Sequence, residues 1–112
     1  VSAEVRDDSG GEVPSVEAAV TRRGPHVVIN GFAHPLTRQR TLIGRGADAD
    51  IKLEDTGVSR HHCEIELTMP PVLRDLRSTN GTWVAGDRVI QEELAADTDI
   101  TVGSTVIQFR MR

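Results

Sequence analysis

The sequence has no tyrosine, one tryptophan and two phenylalanines in 112 residues, so a core must be assembled chiefly from Ile, Val, Leu and Ala. A single cysteine, Cys63, excludes an intrachain disulfide framework and a multi-cysteine zinc site, and it fits a reducing compartment. No run approaches the roughly 20 consecutive apolar residues of a membrane-spanning helix. The N-terminus also lacks the basic segment followed by an apolar stretch that marks a secretory signal. Direct membrane insertion is therefore not expected. Lysine is nearly absent: Lys52 is the one lysine among 13 basic residues. The other twelve are arginines, whose planar donor forks favour directional hydrogen bonding to carboxylates and phosphates. What remains, 38% hydrophobic and 27% charged residues, suits one globular domain.

The net charge of −4 is unevenly placed. Residues 1–20 carry Glu4, Asp7, Asp8, Glu12 and Glu17 against Arg6, whereas residues 21–112 balance twelve basic against twelve acidic side chains. A neutral domain lacks the broad positive field of a general nucleic-acid binder, so no nucleic-acid partner is expected. Residues 1–22 combine Gly10-Gly11, Pro14, serines and acidic residues without a sustained period of 2 or 3.6. They read as an acidic flexible linker, leaving residues 23–112 as the domain. The chain opens without a methionine, which suggests processing or truncation upstream and leaves room for other domains in a full-length protein.

From His26 onward, short apolar stretches alternate with turn residues. Val27-Val28-Ile29 runs into Asn30-Gly31, a dipeptide suited to a two-residue hairpin turn, and AHPLT supplies the returning strand. Leu42-Ile43 precedes Gly44. Ile51 and Leu53 alternate with Lys52 and Glu54, and Cys63, Ile65 and Leu67 alternate with Glu64, Glu66 and Thr68. Further strands are expected at VLRDL (72–76), TWVA (82–85) and RVI (88–90). Ile100 and Val102 lead through Gly103-Ser104 into Ile107, Phe109 and Met111, a closing hairpin. No interval of 10 to 15 residues carries an amphipathic helical stripe. The pattern predicts an all-β fold of short, mostly antiparallel strands, a sandwich in its simplest form, with a small barrel also compatible with the periodicity.

Three loop segments hold the unusual chemistry: Gly44-Arg45-Gly46, Val58-Ser59-Arg60-His61-His62 and Arg77-Ser78-Thr79-Asn80-Gly81-Thr82. Between them they offer guanidinium forks, hydroxyls, a carboxamide and glycines that let backbone approach a ligand. A phosphate monoester brings three acceptor oxygens and about 1.5 to 2 negative charges at neutral pH, which such a set satisfies if the loops converge.

In order and spacing these segments closely resemble the forkhead-associated (FHA) domain family, over about residues 26–111. The chain also resembles the C-terminal FHA domain of actinobacterial cell-envelope regulatory proteins. The resemblance implies a two-sheet β-sandwich of about 11 strands with ligand-binding loops at one end, noncatalytic recognition of phosphothreonine peptides, and no cofactor. It implies phosphate contacts from Arg45, Ser59, Arg60, Ser78 and Thr79, with Thr79 favoured over Ser78, and a peptide-backbone contact from Asn80. Gly44, His61 and Gly81 are implied as structural supports of the loops, while His62 has no assigned role. A preference for phosphothreonine over phosphoserine follows from the same resemblance. So does a partner that is a Ser/Thr kinase substrate or a membrane-associated pseudokinase in cell-envelope growth, met in the cytoplasm or at the inner face of the membrane.

Competing readings attach to the same residues. Ser59 and His61 suggest a nucleophile and base, but no acid is identified to complete a triad. A phosphate-independent assembly domain is a second alternative. Phosphorylation of Thr21, or of Thr or Ser elsewhere in the parent protein, would permit self-recognition. Cys63, preceding alternating Ile65 and Leu67, is expected to be a small buried residue rather than a reactive thiol. Trp83 is expected to plug the core.

Overall fold

The computed structural model describes residues 24–111; the expected acidic linker over residues 1–22, including Thr21, lies outside them. Eleven strands follow in chain order: β1 (His26–Ile29), β2 (Phe32–Pro35), β3 (Arg40–Gly44), β4 (Ile51–Lys52), β5 (Cys63–Glu66), β6 (Val72–Asp75), β7 (Thr82–Val84), β8 (Asp87–Val89), β9 (Gln91–Glu93), β10 (Asp97–Val102) and β11 (Thr105–Arg110). They form a six-stranded sheet in the order β2-β1-β11-β10-β7-β8 and a five-stranded sheet in the order β4-β3-β5-β6-β9. Every pairing described is antiparallel except β3 with β4. None of the described residues forms a helix long and apolar enough to cross a membrane.

The registers explain the core. In the larger sheet Val27 opposes Phe109, and Ile29, Ile107, Ile100 and Val84 form a row across four strands. In the smaller sheet Thr41, Ile65 and Leu73 form one inward row, and Ile51, Ile43, Cys63 and Asp75 form another. Because side chains alternate between faces, these rows meet between the sheets and are buried except for the half-buried Val84 and Asp75, the latter the polar end of its row. Each fully buried Ile, Leu, Val or Phe contributes about 1.5 to 3 kcal/mol, which lets aliphatic residues substitute for a missing aromatic core.

Two local expectations change. Trp83 does not plug the core: it is 37% exposed. Its neighbours Thr82 and Val84 take the inward positions of β7, so period-2 alternation turns the indole outward. β9 was not expected, since Gln91-Glu92-Glu93 is polar throughout and exposed; it is an edge strand paired only with β6.

The antiparallel registers also decide where the loops go. The C-terminal ends of β3, β6 and β10 and the N-terminal ends of β5, β7 and β11 lie at the same end of the sandwich. The β3–β4, β4–β5, β6–β7 and β10–β11 connections are thereby gathered there.

Candidate functional site

The first loop, β3–β4, is laid directly against the second, β4–β5. Arg45 N–H donates to the Ser59 carbonyl at 2.9 Å, and Gly46 N–H donates to the Arg60 carbonyl at 3.0 Å. A side chain at Gly44 would have no room, since its Cβ would lie 2.1 Å from the Arg60 carbonyl oxygen. This close backbone approach places Arg45 beside Ser59. The Arg45 Nε–H donates to the Val58 carbonyl at 3.0 Å, which aims the guanidinium and leaves its two terminal nitrogens for a ligand. Val58 is buried and anchors the loop beneath.

The third loop, β6–β7, is locked to the second by three side-chain contacts. Thr79 N–H donates to Ser59 Oγ at 3.0 Å. The Asn80 carboxamide nitrogen donates to the Gly57 carbonyl at 2.9 Å. The third comes from His62, which also braces Ser59 within its own loop. Ser59 N–H donates to His62 Nδ1 at 2.9 Å, so the ring proton lies on Nε2, which faces the Gly81 carbonyl at 2.8 Å. His62 has no solvent exposure, and its neutral tautomer pairs both ring nitrogens while fastening two loops together.

His61 makes its own loop-linking contact, from the β4–β5 loop to Asp48 in the β3–β4 loop. That residue is exposed, and its Nε2 lies 2.7 Å from the Asp48 carboxylate. The buried brace is His62, one position along, enclosed next to the equally buried Cys63 where the loop enters β5. Asp48 carries a pKa below the usual carboxylate range, held there first by the hydrogen bond to His61. Neither histidine ring is hydrogen-bonded to the Ser59 hydroxyl, so the nucleophile–base pairing is not formed.

The expectation for Ser78 is corrected. It is buried, its hydroxyl donates to Asp75 Oδ1 at 2.5 Å, and the same oxygen accepts Gly81 N–H at 2.9 Å. Both hydroxyl functions are committed within the loop, and Ser78 braces the turn rather than facing a ligand. Asp75 also accepts Thr82 Oγ1 and Ser78 N–H. Burial alone would raise its pKa, but these hydrogen bonds outweigh burial and hold it low. Gly81, at φ +92°, adopts a conformation that an L side chain rarely takes.

A fourth tie went unread in the sequence. Asp55 accepts Gly57 N–H at 2.8 Å with one oxygen, and Ser104 N–H at 2.7 Å and Thr105 Oγ1 at 2.8 Å with the other. It pins the β10–β11 turn to the β4–β5 loop, and these bonds, led by Thr105, lower its pKa. Its partners in the β10–β11 turn are 49 and 50 positions away along the chain, so spacing gave no signal. Cys63 is fully buried, and desolvation, helped by the charge of Asp75, pushes its thiol up to about 12.

The loops therefore present a prearranged surface: the Arg45 terminal nitrogens, a Ser59 hydroxyl proton still free to donate, and the exposed Thr79 and Asn80 side chains with Arg60 at the rim. All except the rim arginine are positioned by contacts to a neighbouring loop.

Residues 41–103 match the FHA domain family. Among curated proteins, FhaA of Mycobacterium tuberculosis, an FHA domain-containing protein, is 42% identical over 83 residues, covering 73% of this chain and 16% of FhaA. The chain thus spans under a fifth of that relative. The solved FhaA FHA domain, complexed with the intracellular domain of Rv3910, superposes with a TM-score of 0.73 at 37% identity, covering 78% of this chain and all of that one. A domain solved in work on phosphothreonine-dependent FHA domain interactions superposes at 0.74 with 38% identity, covering 79% of this chain and 96% of that one. With the sandwich, the loop order and the matched segment in agreement, the chain belongs to the FHA domain family.

Proposed function

We propose that the domain is a noncatalytic reader of phosphothreonine in proteins modified by Ser/Thr kinases. The observation that carries this reading is the pairing of Arg45 with Ser59. The Arg45 backbone bonds to the Ser59 carbonyl and its Nε to the Val58 carbonyl, while charged donors and a hydroxyl proton remain for an anion. Arg45 supplies the fork to two phosphate oxygens, Ser59 Oγ and Thr79 Oγ1 donate to others, and Arg60 adds positive potential from the rim. Asn80 keeps its carboxamide oxygen and one N–H for the backbone of an extended peptide, its other N–H being held by Gly57. The set binds and orients a dianion but offers no positioned nucleophile or base, which favours recognition over turnover.

Two similarities support the choice of ligand: one related domain is described by its phosphothreonine-dependent interactions, and another is complexed with an intracellular protein domain. The partner is therefore a phosphothreonine-containing protein, either a kinase substrate or a membrane-associated pseudokinase. In that setting the domain acts in the cytoplasm, recruited to the inner face of the membrane in cell-envelope growth.

The test is binding to degenerate phosphothreonine, phosphoserine and unmodified peptide libraries, repeated with Arg45→Ala. Selective phosphothreonine binding that a folded Arg45→Ala protein lacks is the expected result. Equal binding of modified and unmodified libraries would replace this reading with a constitutive assembly interface.

A further inference from the structure

Trp83 and Arg88 have no part in the phosphate site, yet both end on the loop that carries Thr79 and Asn80. They oppose each other directly across the β7–β8 ladder, on the outer face of the six-stranded sheet. Their far ends meet over Gly81. A Cβ at that glycine would lie 2.7 Å from Arg88 Nε and 3.0 Å from Trp83 Nε1. The indole N–H donates to the Asn80 carbonyl at 3.0 Å, and an Arg88 terminal nitrogen lies 3.5 Å from the Ser78 carbonyl, a long and weak contact. The indole is thus fixed by its polar end while its ring surface stays partly exposed, and Arg88 keeps most of its donors toward solvent.

Charge pairing separates Arg88 from most other cations of the domain. Among the described residues, Arg38, Arg40, Lys52, Arg74 and Arg110 are each within ion-pair distance of a carboxylate. Arg88 joins Arg45, Arg60 and Arg77 in making no carboxylate ion pair with a described residue, and of these it is the one that stands against the Trp83 indole. An aromatic wall with a cation at its side, continuous with the edge of the Asn80 loop, is suited to an extended segment bearing negative charge.

We infer that Trp83 and Arg88 form a second ligand subsite that takes an anionic side chain, carboxylate or phosphate, from the segment flanking the phosphothreonine where it leaves past Asn80. The inference rests on the phosphothreonine reading and extends it to the chemistry of the flanking sequence. Arg88 supplies the charge; Trp83 holds the segment against the sheet and, through Asn80, joins the subsite to the loop beside the phosphate.

The experiment measures affinity for phosphothreonine peptides in an alanine background, with Asp or phosphoserine placed singly at each flanking position. One position, or two adjacent ones, is expected to favour Asp over Ala by about 2- to 5-fold at low salt, the range of an exposed charge pair, with phosphoserine preferred further. Added salt should shrink the preference. Arg88→Ala should abolish the Asp-to-Ala ratio, Arg88→Glu should invert it and Arg88→Lys should keep part of it, each variant's fold being checked by its amide spectrum. The Trp83 indole resonance should respond to the Asp peptide more than to its Ala twin. Equal affinity for Asp and Ala peptides at every position would overturn the subsite, as would a preference that survives Arg88→Ala, while leaving phosphothreonine recognition intact. Failure of the wild-type domain to bind any phosphothreonine peptide would overturn both.

Discussion

Replacing His62 with alanine should damage both the stability of the domain and the geometry of its site, whereas the same change at His61 should do little. His62 is fully buried, accepts from Ser59 N–H and donates to the Gly81 carbonyl. Truncation removes two hydrogen bonds, strands a backbone donor and a backbone acceptor in the interior, and opens a cavity. A buried unsatisfied group costs about 1 to 3 kcal/mol, so two of them with the cavity give a loss of about 3 to 5 kcal/mol. At about 4 to 8 °C per kcal/mol for a domain of this size, Tm should fall by 12 °C or more. The two bonds can be separated. Asn places a carboxamide oxygen where Nδ1 accepts, and Gln places its amide where Nε2 donates, so His62→Asn and His62→Gln should each cost less than His62→Ala. His61 is exposed and paired only with Asp48, an arrangement worth about 0 to 1 kcal/mol. Thermal melts of the four variants and the wild type provide the assay. A His61→Ala protein that melts below His62→Ala, or a His62→Ala protein within 3 °C of wild type, would refute the bracing argument.

Other perturbations follow from the same geometry. Arg45→Ala removes charge-assisted donors worth about 1.5 to 3 kcal/mol, so affinity for a phosphothreonine peptide should fall by about 10- to 150-fold with little change in Tm, read by fluorescence anisotropy and a thermal melt. The threonine methyl, at about 0.8 kcal/mol, should favour phosphothreonine over phosphoserine by about 4-fold from transfer alone, and a larger measured ratio would report exclusion of misfitting rotamers. Asp75 has a lowered folded-state pKa, so its contribution to stability is present above its unfolded value of 3.8 and is lost as pH falls through the folded pKa. Denaturant titrations below pH 4 should show that decline, and Asp75→Asn should flatten it. Cys63, with its thiol pushed up to about 12, should resist a thiol reagent at pH 8 in the native state and react once denatured.

The fold was legible where period-2 alternation and turn chemistry reinforce each other. Asn30-Gly31 and Gly103-Ser104 mark hairpins that the structure forms, and Cys63 to Glu66 alternates as read. β9 was illegible because an edge strand needs only one hydrogen-bonded neighbour and no buried face, so polar residues leave no pattern. At the site, the identity of the loops was readable but the division of labour within them was not. His61 and His62 are adjacent and chemically identical, and strand alternation does not separate them, because His62 is buried directly beside the buried Cys63 and so falls outside the period-2 pattern of β5. Ser78 and Thr79 are both hydroxyls in one turn, and Asp75, three residues earlier on an inward row, captures Ser78. Trp83 was misread because its size suggested burial, while its strand neighbours had already claimed the inner face.

The corrections share a physical meaning. His62, Ser78, Asp55 and Asp75 make no direct contact with the proposed phosphate position, yet each satisfies backbone donors or acceptors that would otherwise fray the loops. Free loops would pay about 0.5 to 1.5 kcal/mol for each side chain ordered on binding, with backbone ordering in addition. Here much of that ordering comes from contacts within the domain itself, because Arg45 is aimed by Val58, Ser59 is held at both its N–H and its hydroxyl, and Asn80 is tied to Gly57. A short peptide contributes few contacts of its own. Such a ligand is bound usefully only by a surface whose donors already stand in place, and the buried polar bracing of these loops is what sets them there.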